Sequence, residues 1–125
     1  MFALLLLFVG FGILSIIIAL PLIDEKIKPN PFYGFRIRAT LEDPKLWYAV
    51  NKYFAQRLLL AGVAEIVATA ALFVLPNISL DAYALGVLGV FAIAFTIGMI
   101  QSFNYLKSIR QKDDGNAGNP NLKIR

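Results

Sequence analysis

The chain has no cysteine and no histidine. The first absence excludes disulfides, thiolate catalysis and sulfur metal ligands, and leaves the redox compartment open. The second removes the commonest general base and the commonest transition-metal ligand. Charge is also scarce. Asp, Glu, Lys and Arg make up 16% of the 125 residues, against 58% hydrophobic. The scarcity is localised: residues 2–23 and 83–106 carry no charge, and residues 58–75 carry only Glu65. Each stretch is close to the roughly 20 residues a helix needs to cross about 30 Å of hydrocarbon. The sequence therefore predicts an all-α fold: a three-helix transmembrane bundle, residues 1–110, with a structured loop over residues 24–57 and a polar tail over residues 111–125.

Lysine and arginine supply the orientation. Seven lie between the first two spans, none in residues 76–82 between the second and third, and five after the third. That alternation predicts the N-terminus outside, with the long loop and the C-terminal tail in the cytoplasm. The net charge of +4 reads as this topology signal rather than as a nucleic-acid surface. The first span lacks a basic leader and an Ala-x-Ala cleavage pattern, so an uncleaved helix is expected.

The long loop is rich in rings, turn residues and cations. Proline in Asn30-Pro31 biases the preceding residue away from helix, and Gly34 can supply a positive φ. Asp43-Pro44 reads as a helix start, with Asp as N-cap and Pro at the first helical position. Nothing then breaks the helix before Pro76, so residues 44–75 are expected as one helix of roughly 48 Å. A break near Lys52 to Gln56 is the alternative. The tail is polar enough to be disordered alone.

Several residues can carry chemistry. Glu65, about midway along the second span, must face protein or water, or be protonated. It is either a proton- or ligand-binding group inside the bundle or a carboxyl that fixes helix packing. Ala61, Gly62, Ala68 and Thr69 share its side of the helix, and Ala94, Gly98 and Ser102 form a matching small face for close packing. Arg36 and Arg38 point the same way if extended. Such a pair can fork a carboxylate or phosphate, or contact lipid headgroups. Trp47 and Asn51 lie one turn apart and can receive the loop, Asn51 through its backbone and Trp47 against its rings. No phosphate-cradling glycine loop, metal-ligand set or nucleophile-plus-base arrangement is present, so neither catalysis, a metal nor a cofactor is expected.

Asn30-Pro31-Phe32-Tyr33-Gly34-Phe35-Arg36, then Thr40, then Trp47 and Asn51 resemble the SdpI family of small bacterial integral membrane proteins. That family carries a loop reading roughly Asn-x-x-Tyr-Gly-x-Arg-Thr-x-x-Thr, followed by Trp-x-x-x-Asn. The strong match covers residues 30–51. It departs at Ile37, where threonine is frequent, and the additional N-terminal helices of longer members have no counterpart. The resemblance implies an inner-membrane protein of the immunity and signalling type, one that protects against a secreted killing peptide or holds a repressor at the membrane. It marks Asn30, Tyr33, Gly34, Arg36, Thr40, Trp47 and Asn51 as the functional or structural core. Expected partners are membrane lipids and a protein, peptide or second copy. An accessory subunit of a larger membrane complex is the other reading.

Overall fold

The computed structural model describes residues 1–118. Four helices follow in order: α1 (Phe2–Ile23), α2 (Arg38–Glu42), α3 (Pro44–Phe73) and α4 (Leu80–Ala117). The fold is all-helical, and α1, α3 and α4 are long and apolar enough to cross a membrane. α3 lies in the middle, with α1 and α4 packed against it and α2 capping its start.

Local chemistry sets the helix ends. Asp43 accepts hydrogen bonds from the backbone N–H of Lys45 (2.9 Å) and Leu46 (3.4 Å), and Pro44 opens α3. Both features satisfy or remove donors that the first turn leaves orphaned. Ser79 does the same for α4, accepting from Ala82 N–H at 3.2 Å. No break occurs near Lys52 to Gln56; α3 is continuous to Phe73.

α1 ends in a Schellman arrangement. Lys26 N–H donates to the Pro21 carbonyl (3.0 Å) and Glu25 N–H to that of Leu22 (3.3 Å). Glu25 occupies the left-handed position at φ 58°, where glycine is usual. A side chain there costs about 1–2 kcal/mol, partly offset by the greater backbone entropy glycine loses on folding. Glu25 also places a negative charge at the negative end of α1. Glu25→Gly is therefore expected to stabilise the protein by about 0.5–1 kcal/mol. Denaturant unfolding in detergent micelles tests this, and no gain would discount the strain.

Small residues allow the helices to approach closely. A Cβ added to Gly12 would lie 2.9 Å from the Gly62 carbonyl oxygen, and one added to Gly62 would lie 2.8 Å from that of Gly12. A Cβ on Gly98 would meet the Arg57 side chain at 2.8 Å. Gly62 and Gly98 belong to the small faces expected from sequence; Gly12 is an addition. Leu6, Leu7, Ile13, Leu14 and Ile17 of α1 face outward. That is how a helix solvated by lipid presents itself.

The polar stretch expected to be disordered from Gln111 is instead helical as far as Ala117. Lys45 at the start of α3 pairs with Asp113 at 3.5 Å, tying the end of α4 to the loop end of the bundle. The rest of the expected tail, residues 119–125, lies outside the described residues.

Candidate functional site

The loop between α1 and α3 is held by five hydrogen-bonding side chains and one glycine. Asn30 organises the first turn. Its Oδ1 accepts from the N–H of Phe32 (2.9 Å) and Tyr33 (2.8 Å), and its Nδ2 donates to the Lys28 carbonyl (2.8 Å). Asparagine suits this because its short amide reaches nearby backbone on both sides. The Tyr33 hydroxyl then donates to the Ile18 carbonyl, pinning the loop onto α1. Burial pushes the Tyr33 phenol above its ordinary range, so it stays a neutral donor at physiological pH.

The second half of the loop docks on α3. Asn51 Oδ1 accepts from Phe35 N–H at 2.6 Å, while its Nδ2 donates to the Trp47 carbonyl at 3.0 Å. Thr40 Oγ1 donates to the Phe35 carbonyl at 2.8 Å and accepts from Ile37 N–H at 3.1 Å. Both backbone groups of Phe35 are thus satisfied although the residue is buried, as a buried peptide group requires. Its ring packs against Phe54 and Phe103, at centroid distances of 5.5 and 5.0 Å. Gly34 sits directly over Asn51 at φ 108°; an added Cβ there would lie 2.5 Å from Asn51 Oδ1. Trp47 is fully buried and donates its indole N–H to the Ile27 carbonyl at 2.7 Å.

The structure thus brings Asn30, Tyr33, Gly34, Thr40, Trp47 and Asn51 into one clasp joining the end of α1 to the base of α3. Asn51 bonds the loop backbone at Phe35. Trp47 bonds the backbone at Ile27 and does more than pack against rings. Arg36 and Arg38 do not form the side-by-side fork expected of an extended segment. Thr40 caps Ile37 N–H and starts α2 at Arg38, which turns the second arginine away. Arg36 donates to the Pro31 carbonyl, and Arg38 pairs with Glu42 at 2.8 Å. Glu65 is remote from the clasp, in the second half of α3.

Two residues that the sequence reading passed over take part. Phe35 is the buried centre of the clasp; its position between Gly34 and Arg36 was the only signal. Arg57 lies under α4 with its guanidinium 4.8 Å from the Tyr53 ring, and Tyr53 stacks on Tyr105 at 4.4 Å. A charge at the very edge of the second span was the signal there.

Residues 26–102 match the SdpI/YfhL protein family model. The chain belongs to this family. The matched region starts just after α1 and takes in residues 30–51 of the clasp, α2, α3 and α4 as far as Ser102. Nothing among curated proteins or solved structures matches the chain.

Outside the clasp, the loop of this SdpI/YfhL protein presents a small cationic and aromatic surface. Phe32 is 86% exposed. Lys26 pairs with Asp24 and Lys45 with Asp113. Among the described residues, Lys28 and Arg36 make no ion pair. The Arg36 guanidinium donates to the Pro31 carbonyl, one residue from the exposed Phe32, so the same loop exposes a ring and a cation.

Proposed function

We propose that the protein acts without catalysis, by binding a peptide or protein partner at the membrane surface in the manner of an immunity or signalling protein. The observation that carries this reading is the division of labour in the loop. Asn30, Gly34, Thr40, Trp47 and Asn51 are spent on internal structure, while Phe32, Arg36 and Lys28 face outward. A rigid loop that exposes an aromatic ring beside an arginine has the composition of a recognition surface. The lysine and arginine distribution supports placing this surface in the cytoplasm, at an inner membrane.

A photo-crosslinking residue at position 32, in native membranes, tests the proposal. A defined crosslinked partner is expected. The Arg36→Ala variant, inserted to normal levels, should reduce its yield by about tenfold, the equivalent of one strong charge-assisted contact. Undiminished crosslinking in that variant would remove Arg36 from the surface.

The hollow between α3 and α4 favours a second reading, an accessory subunit in a larger membrane complex. It measures ≈ 310 Å³ and is lined by Arg57, Ala61, Ala64, Ala94, Gly98 and Gln101 among others. Small residues of this kind let another helix approach. Stoichiometric co-purification with a larger membrane protein in mild detergent, unaffected by Arg36→Ala, would favour that reading.

A further inference from the structure

Arg57 stands where the apolar part of α3 begins, and among the described residues it makes no ion pair and no hydrogen bond. Its Nε is buried without an acceptor, while its terminal nitrogens, which bond nothing among those residues either, stay open to the surroundings. The guanidinium lies over the Tyr53 ring at 4.8 Å, and Tyr53 is held in turn by its stack on Tyr105. A ring against the flat face of a guanidinium fixes its position but takes none of its N–H groups, which point outward in the plane. Arg57 is therefore held in place with its donors unspent.

Arg57 lines the ≈ 310 Å³ hollow between α3 and α4. Tyr53 meets Tyr105, Arg57 meets Gly98 and Leu72 meets Gly86, so the two helices run antiparallel. That register puts Arg57 and Gln101 at one end of the hollow and Ala64 and Ala94 at the other, about 10 Å away along the helix. Leu60 and Ile97 stand at its sides and are 54% and 50% exposed. The hollow is thus polar at the level where the hydrocarbon begins, apolar deeper in, and open on the lipid-facing surface.

Each part of the hollow limits what fits it. Two anionic oxygens suit the two terminal nitrogens, as in a forked guanidinium–phosphate pair. The apolar end suits a hydrocarbon chain. A basic pocket between membrane helices at the interface takes such a headgroup from the adjoining leaflet, its chain already in lipid. The rest of the headgroup is limited too. α4 carries no charge between Asp81 and Lys107, and α3 beyond Arg57 carries only Glu65, whose carboxyl oxygens are closed to solvent. A headgroup ammonium would find no carboxylate here. A hydroxyl suits Gln101, whose amide both donates and accepts.

We propose that the hollow between α3 and α4 is a binding site for one anionic phospholipid, its phosphate on the terminal nitrogens of Arg57 and one acyl chain along Ala64, Ala94 and Ile97. The site does not depend on the loop surface, and it fills with lipid a hollow that a neighbouring subunit's helix would otherwise occupy.

The test uses the full chain in neutral detergent micelles, with phosphatidylglycerol as the probe and phosphatidylcholine of the same acyl chains as the control. Ligand binding to the folded state raises the unfolding temperature with concentration. Phosphatidylglycerol is expected to raise it, with one molecule retained per chain in native mass spectrometry, and phosphatidylcholine to bind at least about tenfold more weakly. Glycerol 3-phosphate, a phosphate without chains, should not stabilise the protein. Arg57→Gln should weaken phosphatidylglycerol binding by about tenfold, the equivalent of one charge-assisted contact. Lys112→Gln removes the same charge from the exposed end of α4 and should leave binding unchanged. Ala94→Phe fills the apolar end without touching the arginine and should abolish binding while circular dichroism stays helical. Equal retention of the two lipids, full binding by Arg57→Gln, or an equal loss in Lys112→Gln would overturn the proposal. So would a photo-crosslinker at position 60 that captures a second protein chain, and no lipid, in native membranes.

Discussion

Gly34→Ala is expected to open the clasp while leaving the three long helices in place. Two independent costs arise at this position. The backbone at φ 108° lies where residues with a Cβ are rarely found, a strain of about 1–3 kcal/mol. The added methyl would also lie 2.5 Å from Asn51 Oδ1. Asn51 cannot retreat without releasing Phe35 N–H, which it holds at 2.6 Å inside the protein. A buried donor left without an acceptor costs about 1–3 kcal/mol more. Together the loop loses about 2–6 kcal/mol. Hydrogen exchange at the Tyr33 and Phe35 amides should accelerate by about a hundredfold, the equivalent of roughly 2.8 kcal/mol. Amides in the middle of α3 should exchange at their former rate. Unchanged exchange at Phe35 would mean that the loop does not depend on this backbone conformation.

Asn51→Leu attacks the same joint from the helix side. Leucine keeps the same branching and number of side-chain heavy atoms, is somewhat bulkier, and supplies no polar atom. Phe35 N–H then has no acceptor, and the donation to the Trp47 carbonyl is lost. The Phe35 carbonyl keeps Thr40, so the orphaned N–H dominates, and the expected loss is about 2–4 kcal/mol. Trp47 reports the outcome because it is the single tryptophan of the chain. It lies one helical turn from Asn51 and is fully buried. Its emission should shift to the red as the loop leaves and water reaches the indole. Gly34→Ala and Asn51→Ala should also be strongly non-additive. Part of the Gly34→Ala cost is a collision with the Asn51 amide, so it should shrink in an Asn51→Ala background, by an amount a double-mutant cycle measures. Full additivity would mean that the two residues act separately.

The bundle was largely readable because hydropathy along the chain is so uneven. Charge-free stretches marked the spans, and Asp43-Pro44 marked the start of α3, which carries its cap through Asp43 as those residues predict. α2 was not readable. It has five residues and starts behind Ile37, which has no capping oxygen; the cap comes from Thr40 reaching back. That small turn is also why Arg36 and Arg38 separate, although their spacing suggested a pair. The bond from Trp47 to Ile27 spans 20 residues, and no local pattern announces such a contact. The helical end of α4 was hidden by Asp113-Asp114-Gly115, a run with turn composition. A charge partner at Lys45, remote in sequence, accompanies helix there. Glu65 was conspicuous as the only charge in its span. That its carboxyl oxygens have no partner among the described residues required coordinates.

The clasp has a consequence for the order in which the protein matures. Its anchors at Ile18 and Ile27 are made early by the ribosome, but Trp47 and Asn51 emerge later and reach position only when α3 takes its place beside α1. Until then Phe35 N–H lacks its Asn51 acceptor and its ring lacks the cover of Phe54. Closing the clasp therefore requires the first two crossings to stand side by side, and covering the Phe35 ring requires the third as well.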